Sequence, residues 1–187
     1  MATVLVTGAN RGIGLEYCRQ LSARGDHVIA VCRKASRELS SLGVQIEAGI
    51  ELTEASALDE LISRLQGLCL DGVILNAGIL HSNALNNLDL EAIRQQFEIN
   101  ALAPLRLVSA LTSNLASGSW IALMTSRMGS IADNSSGGSY GYRMSKAALN
   151  IAENNYQGST SPLACQKEPD VSRLKASIRF NNPSTDC

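Results

Sequence analysis

Tyr142 and Lys146 stand four residues apart in YRMSK, a spacing that puts both on one face of a helix. Tyrosine is a poor acid or base near neutrality, its free pKa being about 10. A neighbouring ammonium favours the phenolate and lowers that value. A tyrosine tuned in this way can pass a proton to or from a substrate oxygen. Tyr140 has Met144, not a lysine, at its own i+4 position, so the pattern selects Tyr142. Alone, the pair would equally describe an ordinary surface contact. It is preceded, however, by the apolar run WIALMTS (120–126), which ends in Thr125 and Ser126. A hydroxyl at the carboxyl end of a parallel strand faces the crevice where such sheets bind ligands. There it can hydrogen-bond a carbonyl oxygen.

A second constellation is TGANRGIG (7–14), which follows the apolar run TVLV (3–6) and opens a helical pattern. Gly8, Gly12 and Gly14 allow a tight turn and let backbone N–H groups approach a pyrophosphate without side-chain interference. The helix N-terminus adds further donors and partial positive charge. The G-x-x-x-G-x-G spacing differs from the commoner dinucleotide fingerprint, but its mechanics are the same. Without a ligand the same residues would be only a tight strand-to-helix turn. A site for NAD normally has a carboxylate at the end of the second strand to hold the ribose hydroxyls. Here that place is taken by Cys32, followed by Arg33 and Lys34, while Arg11 lies inside the glycine turn. Cations at both places suit a 2′-phosphate, so NADP(H) is expected in preference to NAD(H).

These groups need a scaffold, and the periodicity supplies one. Apolar runs at 3–6, 27–32, 44–50, 72–76 and 120–126 read as strands. Between them, apolar residues recur at helical spacing over Gly14–Arg24, a short Ser36–Leu42 segment, and Leu58, Leu61, Ile62 and Leu65. Leu88–Leu115 reads as mainly helical, with Pro104 splitting or kinking it. The last strong helical pattern runs from Tyr142 to about Ala152. Strands alternating with helices predict a doubly wound parallel α/β sheet of the Rossmann type. The pattern places a nucleotide-binding domain over 1–154 and an atypical polar tail over 155–187. The tail holds three of the four prolines and is expected to be weakly structured, or to form one short helix or strand.

Composition bounds the partners. The net charge is −1 and no basic stretch stands out, so neither nucleic acid nor an anionic membrane is an expected partner. No apolar run reaches the length of a membrane span. MATVLVTG reads as a strand rather than a signal peptide, and a cytoplasmic location is the default. Five scattered cysteines without a CxxC, together with two histidines, form no metal pattern and read as reduced, buried thiols.

The ordered pieces TGANRGIG (7–14), LNAG (75–78), Asn100 in EINALAPL, Thr125–Ser126 and YRMSK (142–146) resemble the short-chain dehydrogenase/reductase family over residues 3 to about 152. The stretch 125–150 is most similar to its carbonyl-reductase branch, which includes the sniffer and C-signal-factor-like proteins. The resemblance implies a reductase that takes an aldehyde or ketone to an alcohol by hydride transfer. Tyr142 would be the proton donor. Lys146 would tune it and hold the nicotinamide ribose. Ser126 would polarise the carbonyl, and Asn100 would support a water relay. Cofactor contacts would fall on Gly8, Asn10, Arg11, Gly12, Ile13, Gly14, Arg33, Asn76, Ala77 and Gly78, with Glu51 near the adenine. Read without the family, Asn100 is an ordinary helix residue and Asn76 a strand-end cap.

There are departures from the family pattern. The Ser126-to-Tyr142 segment spans 16 positions, longer than usual, which leaves Ser130 as a rival for the serine role. Leu75 stands where the family commonly has asparagine. His81 and Asn83 read as exposed loop residues, with cleft lining as the other reading. After Ala152 the family's further strands, Pro-Gly turn and substrate-covering segment are not recognisable, so the expected sheet lacks its last strands. A truncated, alternatively spliced or frame-altered reductase is one expectation. A nucleotide-binding or signalling protein without turnover is the alternative. A homodimer through long helices is possible only with an incomplete interface.

Overall fold

The computed structural model describes residues 1–134 and 136–156. Its centre is β1 (Thr3–Thr7), flanked by β2 (His27–Val31) and β4 (Leu70–Leu75), with β3 (Gln45–Glu47) beyond β2 and β5 (Leu115–Leu123) beyond β4. All four pairings are parallel, in the order β3-β2-β1-β4-β5. Alternate strand residues point to opposite faces, and both faces are covered. Val4, Val6, Val28, Ala30 and Ile74 pack with Cys18 and Leu21 of α1 (Gly12–Ala23). On the other face, Leu5, Ile29, Val31, Val73 and Leu75 pack with Leu58 and Leu61 of α3 (Ala55–Arg64) and with Leu107 and Val108 of α5 (Ala103–Ala110). The expected doubly wound α/β architecture is therefore the observed one. The short α2 (Arg37–Ser40) is capped by the Ser36 hydroxyl, which accepts from Leu39 N at 3.1 Å.

The stretch expected to break at Pro104 is built differently. α4 (Leu90–Phe97) passes into a π-helical segment, Glu98–Leu102, and then into α5, with Pro104 in the first turn of α5. Pro104 removes the N–H that an α-helix would offer to the Asn100 carbonyl. The chain accommodates this by widening its winding, with Ala103 N donating to Glu98 O five residues back.

Other boundaries shift for local reasons. β3 is three residues long, although Ile50 beyond it is still buried. β5 starts five residues earlier than its apolar run and ends at Leu123, so Thr125 and Ser126 lie just past the strand. α6 (Tyr140–Tyr156) begins two residues before the apolar pattern and ends about a turn beyond it. Polar residues continue a helix at little cost once its buried face is anchored. The expected tail lies, from residue 157 on, outside the described residues. Cys18 and Cys32 are buried free thiols as expected, but Cys69 is exposed and disulfide-bonded. Scattered spacing in sequence gives no information on which sulfurs meet in space. Among the described residues, no helix is long and apolar enough to cross a membrane.

Candidate active site

The glycine turn forms the floor of a cavity of about 310 Å³ at the carboxyl ends of β1, β2 and β4. Of the expected cofactor residues, all but Gly14, Tyr142 and Lys146 line it. Gly8 and Gly12 sit at φ +64° and +56°, a region that glycine enters without strain. Gly14 is excluded from the lining because it is packed beneath it. A Cβ there would fall 2.3 Å from Gly8 O and 2.6 Å from Asn76 Nδ2. Arg11 occupies the N-cap position of α1 and makes no side-chain cap bond, which leaves the first-turn N–H groups to a ligand. A pyrophosphate cradle built of backbone therefore fits what is present.

Thr7 and Asn76 tie this floor to β4. Thr7 Oγ1 accepts from Asn76 N at 3.0 Å and from Ala77 N at 3.1 Å, while Asn76 Nδ2 donates to Thr7 O at 3.1 Å and Gly8 O at 3.3 Å. At the β2 end of the cavity, Arg33 Nη1 lies 3.4 Å from Glu51 Oε2, in an exposed pair. Such pairs contribute at most about 1 kcal/mol, so a phosphate can replace the carboxylate at little cost. Arg11 has no carboxylate within ion-pair distance among the described residues.

The second half of the site is assembled by α6. Lys146 is buried, and its Nζ donates to Met124 O at 2.6 Å and lies 5.9 Å from the centre of the Tyr142 ring. Burial pulls the lysine pKa down to about 8. The same Nζ is 3.7 Å from where a Cβ on Gly78 would stand, so lysine and cavity meet at that glycine. Asn100 is fully buried in the π segment. Its Oδ1 accepts from Ile79 N at 2.9 Å, and its Nδ2 donates to Ile79 O at 2.9 Å and Ser145 Oγ at 3.0 Å. Ser145 in turn donates to Tyr142 O at 2.9 Å. Asn100 is thus a brace joining the loop after β4 to α6, rather than an ordinary helix residue.

Ser126 caps a 3₁₀ turn, Arg127–Gly129, its Oγ accepting from Met128 N at 3.2 Å. That turn lies on the backbone of α6. A Cβ on Gly129 would come 2.9 Å from the Lys146 carbonyl carbon, so only glycine permits the approach. Asn150 fixes the turn's base, donating from Nδ2 to Gly129 O at 3.3 Å and accepting at Oδ1 from Thr125 Oγ1. Ser130, the rival serine, accepts from Asp133 N at 3.2 Å inside the following bend. His81 is exposed as expected. Asn83 is half-buried, its carboxamide enclosed without a partner and its carbonyl accepting from Ser139 N at 2.9 Å. Thr7, Ser145, Arg143 and Asn150 are structural participants that the sequence reading did not single out. Their membership in the quoted motifs was the only signal available for the first three.

Residues 2–157 match the short chain dehydrogenase family. The chain is 42% identical over 158 residues to 1-hydroxy-2-glutathionyl-2-methyl-3-butene dehydrogenase of Rhodococcus sp. (strain AD45), covering 83% of this chain and 70% of that protein. It is 49% identical over 85 residues to C-signal of Myxococcus xanthus, covering 44% of this chain and 51% of that protein. A carbonyl reductase from Pseudomonas aeruginosa PAO1, solved in complex with NADP, superposes with a TM-score of 0.77 at 33% identity, over 88% of this chain and 79% of that one. With the glycine cradle, the Tyr142–Lys146 face and the buried asparagine brace in the same order as the sequence motifs, the chain belongs to the short-chain dehydrogenase/reductase family.

Proposed function

We propose that the chain is an NADP(H)-dependent carbonyl reductase, taking an aldehyde or ketone to the alcohol. The observation that carries this is Lys146, a buried cation with no carboxylate partner among the described residues, set beside Tyr142 and against Gly78 at the cavity wall. Arg11 and Arg33 at the cavity support the 2′-phosphorylated cofactor. When bound, the reduced nicotinamide supplies the hydride.

The chain's own residues then act on the carbonyl oxygen. Ser126 Oγ already accepts from Met128 N, so its own O–H is left to donate to the substrate. Tyr142 passes its phenolic proton to the oxygen as negative charge develops there. The Lys146 ammonium stabilises the phenolate oxygen left behind and remains within reach of a ribose hydroxyl beyond Gly78. The Asn100 side chain is fully committed to Ile79 and Ser145, so its support for a water relay falls to its peptide carbonyl.

The test follows NADPH oxidation against a panel of aldehydes and ketones, alongside thermal denaturation with and without NADPH. Turnover is expected in the wild type, with Tyr142→Phe lowering kcat about 10³-fold. NADPH should raise Tm equally in both. A folded wild type without turnover, matched by Tyr142→Phe, overturns the reductase reading. If NADPH still stabilises that protein, a nucleotide-binding function replaces it.

A further inference from the structure

Arg143 sits between Tyr142 and Ser145, and its side chain bonds none of Tyr142, Lys146, Ser126 and Asn100. Its three side-chain hydrogen bonds all fall on the 16-position segment between Ser126 and Tyr142. Nε donates to Gly138 O at 3.2 Å, Nη2 to Ser136 Oγ at 2.7 Å, and Nη1 to Met128 O over a long 3.5 Å. Every acceptor is neutral, and no carboxylate lies within ion-pair distance among the described residues. A half-buried guanidinium committed to two carbonyls and a hydroxyl is placed to hold a shape, not to balance a charge.

The shape needs holding. Gly137, Gly138 and Ser139 are left-handed in succession, at φ +60°, +64° and +48°. Serine enters that region at a cost of about 1 kcal/mol. The strained turn is pinned on one side by Ser139 N donating to Asn83 O and on the other by Arg143 N donating to Ser139 O at 3.0 Å. At the far end, the Met128 peptide links the clamp to the chemistry. Its oxygen faces Arg143, and its N–H donates to Ser126 Oγ. Arg127, the other cation here, is exposed and paired with Asp133, so it does not share this role.

We propose that Arg143 is a positioning residue that holds Met128, Ser136 and Gly138 against α6 and, through the Met128 peptide, fixes the direction of the Ser126 hydroxyl relative to Tyr142. The proposal rests on the reductase reading for its catalytic consequence, but not for the clamp itself. Lysine keeps the charge and loses the planar fork, so it cannot replace arginine here.

The experiment compares wild type, Arg143→Lys and the milder Ser136→Ala by backbone amide exchange and by steady-state kinetics. In Arg143→Lys, the Met128 and Ser139 amides should exchange about tenfold faster, the loss of roughly one hydrogen bond, with amides of α1 and β4 unchanged. A displacement of the serine by about 1 Å lowers kcat about 100-fold, while the Kd for NADPH stays within twofold of the wild type. Ser136→Ala, which removes one exposed acceptor and leaves the fold intact, should move both readouts in the same direction by a smaller factor. Unchanged exchange in Arg143→Lys overturns the clamp. Faster exchange with unchanged kcat, in a wild type that Tyr142→Phe inactivates, overturns its catalytic consequence. If the wild type has no turnover, the reductase reading fails, and the exchange data alone decide the clamp.

Discussion

The two halves of the site are made of different materials. The nucleotide half is backbone: Gly8, Gly12 and Gly14 shape a surface of peptide groups, and a methyl on Gly14 would collide with Gly8 O. The half proposed to transfer the proton is side chain: Lys146, Asn100, Ser145 and Asn150 reach across from α6 or the π segment to hold one another and the Ser126 turn. A backbone surface cannot be retuned without moving the chain. A side-chain network can be altered one bond at a time, and it stores the cost of what it buries. The first half should therefore fail as a unit, and the second in increments.

The largest expected effect beyond Tyr142→Phe is the pH dependence of Lys146. Its amine titrates near 10.5 in an ordinary environment and at about 8 in the folded protein. Between those values the unfolded chain still holds a proton that the folded one has released, so stability rises with pH across that window. Below about 8 both states are protonated, and the folded state carries the full cost of a buried ammonium, about 3 kcal/mol. Urea denaturation of wild type and Lys146→Met from pH 7 to 10.5 should show the wild type gaining on the variant by that amount. Parallel curves would mean that the proton-transfer half stores nothing.

Next is Gly14→Ala. At 100 times its Kd, NADPH stabilises the wild type by about 2.7 kcal/mol, a gain that the variant should lose. Differential scanning with and without NADPH reads this directly. A variant that keeps the full shift would show that the cradle tolerates a side chain and would erase the distinction between the halves.

The smallest effect sharpens the comparison. Ser145→Ala removes an acceptor from Asn100 and a donor from the Tyr142 carbonyl, and should lower stability by about 1 kcal/mol. The NADPH-induced Tm shift should be unaltered. A lost NADPH shift would show that the halves are one unit.

This contrast also explains what could be read from the sequence. Gly8 and Gly14 were legible because a residue without a Cβ, placed between a strand and a helix, restricts the possibilities by type alone. Tyr142 and Lys146 were legible because i, i+4 spacing fixes a shared face. Asn100 gave no such signal: its role comes from Ile79 and Ser145, which lie 21 and 45 residues away. Arg143 was hidden because its partners lie in a segment without periodicity. The end of α6 was misjudged because the apolar pattern stops near Ala152 while the helix continues through Tyr156. Periodicity reports an apolar stripe, and the polar residues after Ala152 carry none.

The π segment between α4 and α5 also constrains length. One residue added to or removed from a helix rotates everything downstream by about 100°. Through Glu98–Leu102 the rod presents Asn100 to Ser145 on α6, and about two to three turns later Leu107, Val108 and Leu111 join the core against the sheet. A single-residue deletion there, with every named side chain retained, would leave either the brace or the core facing the wrong way. The number of residues from Glu98 to Leu102 is therefore as constrained as their identity.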